Sequence, residues 1–235
     1  MNDHWDASAD WYDQNMGEQG DALNREVLRP LVFELLGATS GQRLLDCGCG
    51  SGYLTAELST RCGAVVGTDL SPRFLELCHR RATGRGRLDL VRHDATTGLP
   101  FASGSFHAVL SKMVLQYVPE IGGFARESWR VLSPRGRLVV VVDHPFHALY
   151  AFAQHRAGRP SPKFPAPRDY FDETAQPKLS LWGRAELTFY PRTMSAYLDG
   201  FHEAGLRLRA LRELPDPRDE ARVPRILALR FDKES

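Results

Sequence analysis

No apolar run in this sequence approaches the roughly 18 residues that a membrane-spanning helix needs. A membrane partner is therefore not expected. Excess charge of either sign is missing as well: 30 lysines and arginines stand against 29 aspartates and glutamates. Without a net field, nucleic acid is not expected as a partner. The opening residues, MNDHWDASADWYD, are polar and acidic and do not read as a secretory signal. Cysteine is scarce. Cys47, Cys49, Cys62 and Cys78 lack the paired spacing of a zinc site, so the expectation is reduced thiols, no bound metal and a cytoplasmic protein.

What is present suits one domain, since 235 residues suffice to bury a full core. Short apolar runs alternate with helical patterns over residues 40–143. Strands are expected at Leu44–Leu45 up to Asp46, at Ala64–Thr68 up to Asp69, at Leu88–Val91, from His107, and at Leu138–Val142, the last apolar on both faces. Helices should follow Gly52, open at Ser71-Pro72, and run from about Ile121 to Leu132, where the turn Ser133-Pro134-Arg135-Gly136 stops the last. This rhythm predicts an α/β fold with a mostly parallel sheet covered on both sides. Residues 1–36 read as helical, with a stripe from Val27 to Leu36 that Gly37 ends and Pro30 can kink. Residues 193–235 read as a helix capped by Thr193 and a strand pair. Between them, residues 144–192 are rich in proline and aromatics, and read as an insertion packed over the site.

The chemistry is concentrated in LLDCGCGSGYLT, residues 44–55, which reads Asp46-x-Gly48-x-Gly50-x-Gly52 between a strand and a helix. Glycines there admit a ligand to the backbone, and a helix N-terminus offers amides. A dinucleotide site uses a different spacing, and a carboxylate at Asp46 would repel its pyrophosphate. An amino-acid nucleoside resolves the conflict. Its cationic end suits Asp46, its carboxylate suits loop amides, and S-adenosylmethionine is the common ligand of that description. Asp69, ending the second strand, can accept from ribose hydroxyls or simply cap a helix. Asp94 and Ala95, ending the third, can hold an adenine edge or form a turn. All three acids fall at the carboxyl ends of adjacent strands, where open sheets bind ligands.

In these stretches, and in VVGTDLSP, VRHDATTGLPFASGSFHAVLSKMVLQYV and RVLSPRGRLVVVVDHPF, the sequence resembles the class I S-adenosylmethionine-dependent methyltransferases, in particular the small-molecule branch called the methyltransferase 11 type. The resemblance implies a Rossmann-like sheet of seven strands in the order 3-2-1-4-5-7-6, with strand seven antiparallel. It places Asp46, Gly48 and Gly50 around the methionine moiety, Asp69 and Leu70 at the ribose and adenine edge, and Asp94 and Ala95 at the base. The backbone carbonyl of Ser111 would meet the ammonium. It also implies that the N-terminal segment forms a lid, with Tyr12 reaching the cofactor carboxylate. Two places depart from the family pattern: His107, expected to be structural, and Gln116-Tyr117, which replaces a histidine pair.

The expected activity is methyl transfer to oxygen or nitrogen, less readily carbon, of a small molecule, with specialised metabolites among the candidates and S-adenosylhomocysteine as product. The alternatives are a protein that holds the cofactor without transferring methyl, and a nicotinamide oxidoreductase, which the glycine spacing disfavours. Alignment dominates such a displacement, so a base is optional. His144, after strand five, is the first candidate base, or else holds its own turn; His147 is the second. Tyr117, Tyr190 and Arg192 are candidate substrate contacts. Arg80, Arg81, Arg85 and Arg87 read as a solvated turn. A monomer or a homodimer is expected.

Overall fold

The computed structural model describes residues 3–37, 40–147, 169–179, 186–215 and 223–234. Five parallel strands form the centre of the sheet: β1 (Arg43–Cys47), β2 (Ala64–Asp69), β3 (Leu88–Arg92), β4 (Phe106–Lys112) and β5 (Leu132–Asp143). A short hairpin, β6 (Gln176–Leu179) and β7 (Glu186–Phe189), stands apart from it. The chain returns through β8 (Leu206–Pro215) and β9 (Pro224–Lys233), and β9 enters antiparallel between β5 and β8. The order β3-β2-β1-β4-β5-β9-β8 is the expected one, with β8 and β9 as the sixth and seventh strands of the main sheet. The β6–β7 pair was not anticipated.

Both faces are covered, as the unbroken apolar run of β5 requires. Val139 and Val141 pack with Leu28, Val32 and Leu58 on one side. Leu138, Val140 and Val142 pack with Phe124, Tyr197 and Phe201 on the other. The first side is supplied by α2 (Arg29–Leu36) and α3 (Tyr53–Arg61), the second by α5 (Ile121–Val131) and α6 (Met194–Glu203). Two further helices, α1 (Asp3–Met16) and α4 (Pro72–Ala82), meet each other through Tyr12 and Phe74.

Local chemistry accounts for the element ends. Ser71 Oγ accepts from the Phe74 amide and Thr193 Oγ1 from that of Ala196, both at 3.1 Å, so each hydroxyl satisfies a free donor of a first turn. Pro30 has no N–H and would crowd the preceding turn of an α-helix. The chain widens into a π-turn at Asn24–Leu28, where the Arg29 amide donates to the Asn24 carbonyl, and α2 then starts with the proline in its first turn. The expected turn after α5 is instead a bulge within β5: Leu132 already pairs with Phe106, pairing resumes at Arg137, and Arg135 takes a φ of 61°.

Candidate functional site

The glycine loop leaves β1 just after Asp46, whose side chain is buried. Thr55 Oγ1 on α3 donates to Asp46 Oδ2 at 2.6 Å. Burial lifts this carboxyl to about 6, against the opposing pull of the Thr55 hydroxyl and the Lys112 charge. Gly48, Gly50 and Gly52 have φ of 78°, 54° and 81°, which side-chain-bearing residues rarely adopt. A Cβ at Gly48 would overlap Val114, and one at Gly52 would overlap Cys78, whereas the space above Gly50 is open. Close packing thus explains two of the glycines; Gly50 is the one that leaves room for a ligand.

One expectation needs correction. The loop amides are largely committed within the protein: those of Gly48 and Cys49 donate to the Thr68 carbonyl at 2.7 and 2.9 Å, and that of Gly52 to the Cys49 carbonyl at 3.1 Å. The Gly50 amide donates to Asp69 Oδ2 at 2.9 Å, and the Ser71 amide to Asp69 Oδ1 at 3.0 Å. Asp69 therefore ties the loop to the end of β2, and each oxygen keeps a second lone pair for another donor. Leu70 follows it, half-buried, its carbonyl accepting from Arg92 Nε at 3.1 Å. Asp94 Oδ1 accepts from both the amide and the hydroxyl of Thr96, so the turn reading of Asp94 holds, and Ala95 packs beside the core. Ser111, beside Cys47 of β1, is fully buried, and among the described residues its Oγ has no hydrogen-bond partner; neither has the Oγ of Ser51 in the glycine loop.

Helix α1 lies against α4 and the carboxyl edge of the sheet. Asp6 accepts from the Ser71 hydroxyl, Asp10 pairs with Arg73 at 2.7 Å, and Asp13 pairs with Arg81 at 2.7 Å. Trp5 meets Tyr117 edge-on at 5.1 Å and Tyr12 meets Phe74 at 5.5 Å. Burial raises the Tyr12 hydroxyl pKa well above its usual value, with the Tyr53 hydroxyl as its neighbour.

A pocket beyond β5 is lined by Asp143, Pro145, Tyr170, Phe189, Pro191, Arg192 and Tyr197. His144 is not among its walls. The Phe146 amide donates to His144 Nδ1 at 3.1 Å, which leaves the proton of the neutral ring on Nε2, 2.7 Å from Glu213 Oε1. With both nitrogens engaged, no lone pair faces a substrate, so the base expected at His144 gives way to the turn-holding role. His147 is half-buried one turn on, its amide bonded to the His144 carbonyl, and also lies outside the pocket lining. Arg192 lines the pocket and also has a structural role. Its guanidinium donates to the carbonyls of Leu115 at 2.8 Å, Val118, and Pro119 at 2.9 Å, which clamps the turn after β4. Tyr190 donates its amide to the Gln116 carbonyl at 2.8 Å, and Tyr117 stacks edge-on with Phe189 at 6.5 Å. Much of the aromatic insertion, residues 148–168 and 180–185, lies outside the described residues.

Three features escaped the sequence reading. Arg81 is not solvated: its side chain is 5% exposed and joins Asp13, the Gly17 carbonyl and the Ser51 carbonyl. Asp143, rather than its histidine neighbour, lines the pocket. Lys112, at the tip of β4, donates to Tyr53 Oη at 2.6 Å and Asn24 Oδ1 at 3.2 Å beside the glycine loop. The one signal for Lys112 was its position directly after Ser111. His107, as expected, works at the opposite end of the sheet, where Nδ1 accepts from the Arg43 amide. Among the described residues, no three His, Cys, Asp or Glu side chains gather as a metal site, and no helix is long and apolar enough to cross a membrane.

The strand order and the glycine loop after β1 define a Rossmann-like class I methyltransferase fold. Residues 45–140 match the family model described as a methyltransferase domain. Over that stretch the chain is similar to the methyltransferase domains that the model describes, and it spans just under two thirds of the length of the first curated relatives it matches. A demethylmenaquinone methyltransferase of Tropheryma whipplei is 35% identical over 157 residues, which cover 63% of this chain and 64% of that protein. Among solved structures, an S-adenosylmethionine-dependent methyltransferase from Mesorhizobium loti superposes with a TM-score of 0.74 at 22% identity, covering 92% of this chain and all of that one. The N-methyltransferase NodS from Bradyrhizobium japonicum, solved with S-adenosylhomocysteine, gives 0.64 at 14% identity over 97% of this chain and all of its own. At these identities the two structures speak for the fold.

Proposed function

We propose that this protein is an enzyme that uses S-adenosylmethionine to methylate a small molecule at oxygen or nitrogen, less readily at carbon. The observation that carries the reading is the row of acids Asp46, Asp69 and Asp94 at and just beyond the tips of β1, β2 and β3, with the open Gly50 among them. These residues fit the cofactor. A buried carboxylate raised by its own burial is stabilised by an incoming cation, and Asp46 is such a group. Asp69 retains acceptor capacity for the ribose hydroxyls. Ser111 and Ser51 present buried hydroxyls with open hydrogen-bonding capacity at the same edge. Leu70, Asp94 and Ala95 border the adenine end of the reading, and Tyr12 the methionine end.

When bound, the cofactor supplies a methyl group already activated by its sulfonium. The chain's own task is then to align an acceptor with it and to exclude water. Alignment alone is worth about 7–11 kcal/mol of barrier. The pocket walls Tyr170, Phe189 and Tyr197 suit a flat or largely apolar acceptor, and Asp143 is the acidic residue among the walls and the candidate base. Tyr117 packs edge-on against the wall residue Phe189, and Tyr190 stands in sequence between the wall residues Phe189 and Pro191.

The test is incubation with methyl-labelled S-adenosylmethionine and a panel of phenols, amines and carbon nucleophiles. A demethylated quinone belongs in the panel because of the relative's name. Label on one acceptor class is the expected result. Binding of the cofactor without label on any acceptor would favour a protein that holds it for another purpose. Affinity for a nicotinamide dinucleotide and none for S-adenosylmethionine would overturn the reading.

A further inference from the structure

If the glycine-loop amides are engaged elsewhere, the carboxylate of an amino-acid nucleoside needs another partner. Among the described residues, Lys112 is a cationic candidate at the right edge. Lys112 ends β4, immediately after Ser111, and its ammonium has three N–H donors. Two are directed at neutral oxygens, Tyr53 Oη at 2.6 Å and Asn24 Oδ1 at 3.2 Å. Among the described residues, Lys112 forms no ion pair within 4 Å. A half-buried ammonium whose hydrogen bonds go to two neutral oxygens keeps its third N–H for an anion, with Asp46 the opposite charge near it.

The surroundings hold it in place. Tyr53 Oη also donates to Asn24 Oδ1 at 2.7 Å, and Asn24, itself buried, is tied to Asp21 Oδ1 through its side-chain amide at 2.7 Å. The Lys112 ammonium lies 5.1 Å from the centre of the Tyr53 ring, and the Tyr12 hydroxyl is a neighbour of that of Tyr53. Lys112 thus brings positive charge beside two tyrosine hydroxyls where α1, α3 and β4 meet, close enough to Asp46 for each charge to influence the other.

We infer that Lys112, flanked by the hydroxyls of Tyr53 and Tyr12, seats the α-carboxylate of the methyl donor while Asp46 faces its cationic end. This rests on the reading of the site as one for S-adenosylmethionine, and it makes Lys112 a positioning and selectivity residue. The two ends of the amino acid would then be sorted by one fixed charge of each sign.

The experiment is calorimetric titration with two probes, S-adenosylmethionine and its decarboxylated analogue, which keeps the sulfonium and the amine. The native protein is expected to prefer the carboxylated probe by roughly ten- to a hundredfold, the usual worth of a charged hydrogen-bonded contact. Lys112→Met should remove that preference by weakening the first probe and leaving the second within about twofold. Lys112→Arg should keep most of it. Native protein that binds both probes equally overturns the inference without any variant, and so does a Lys112→Met protein that retains the preference. If the native protein binds neither probe, the cofactor reading itself fails, a separate result.

Discussion

The two halves of the site are made differently. At the tips of β1, β2 and β3, each group expected to touch the cofactor stands within a few residues of the strand end that positions it. Asp46 adjoins its own glycine loop, Asp69 its own helix cap, and Asp94 its own turn. At the acceptor pocket the walls come from β5, β7, the start of α6 and Tyr170, separated by long stretches of chain. Short-range order makes the first half rigid and readable; the second depends on how distant segments meet. Donor sites are therefore expected to tolerate little change, and acceptor sites to hold side chains whose roles differ from those their positions suggest.

The sharpest way to test the first half is Gly48→Ala. A methyl group there collides with Val114 at a φ of 78°, so the variant should lose about 3 kcal/mol or more of stability, read as a lowered chemical-denaturation midpoint. An ordinary melting curve would mean the loop is softer than its geometry implies.

Asp46→Asn separates stability from binding. The carboxyl is raised from its ordinary 3.8 to about 6, so the folded state binds its proton more tightly than the unfolded state. Its ionisation thus costs stability, absent below pH about 4 and complete above pH about 6. The substitution should stabilise the ligand-free protein at neutral pH by on the order of 3 kcal/mol, taking about 1.4 kcal/mol per unit, and by almost nothing in acid. Donor affinity should fall at the same time. Equal effects of the substitution at both pH values would remove the burial argument.

Asp69→Ala should weaken donor binding by roughly tenfold or more, and should also free the Gly50 amide from its only described acceptor. Amide hydrogen exchange at Gly50 should quicken in step with the loss of affinity.

The smallest effect is expected at His144. His144→Gln should cost about 1 kcal/mol of stability and leave the pH profile of turnover unchanged, because the ring's two nitrogens serve Phe146 and Glu213. Asp143→Asn should alter that profile. The opposite pattern would restore the histidine as the base and erase the contrast between the halves.

The same contrast explains what could be read in advance. The alternation of apolar runs, the caps at Ser71 and Thr193, and the acids at three strand ends are local signals, and the central strands and the capped helices formed where their own residues predicted them. The reading failed where a side chain's partner lay far along the chain. His144 meets Glu213, and Arg81 meets Asp13 and Ser51. Nothing in the spacing of residues announces a hydrogen bond across 70 positions.

By itself, the sequence determined the central strands, the helices between them and the loop that follows β1, since backbone geometry and apolar periodicity act over a few residues. The order of the strands was implied by the family resemblance and matches the structure. Only the tertiary structure decided which polar side chains remain available for chemistry. A lysine, a histidine or an arginine has its hydrogen-bonding capacity claimed or left over according to what folds against it, and that is settled by neighbours in space.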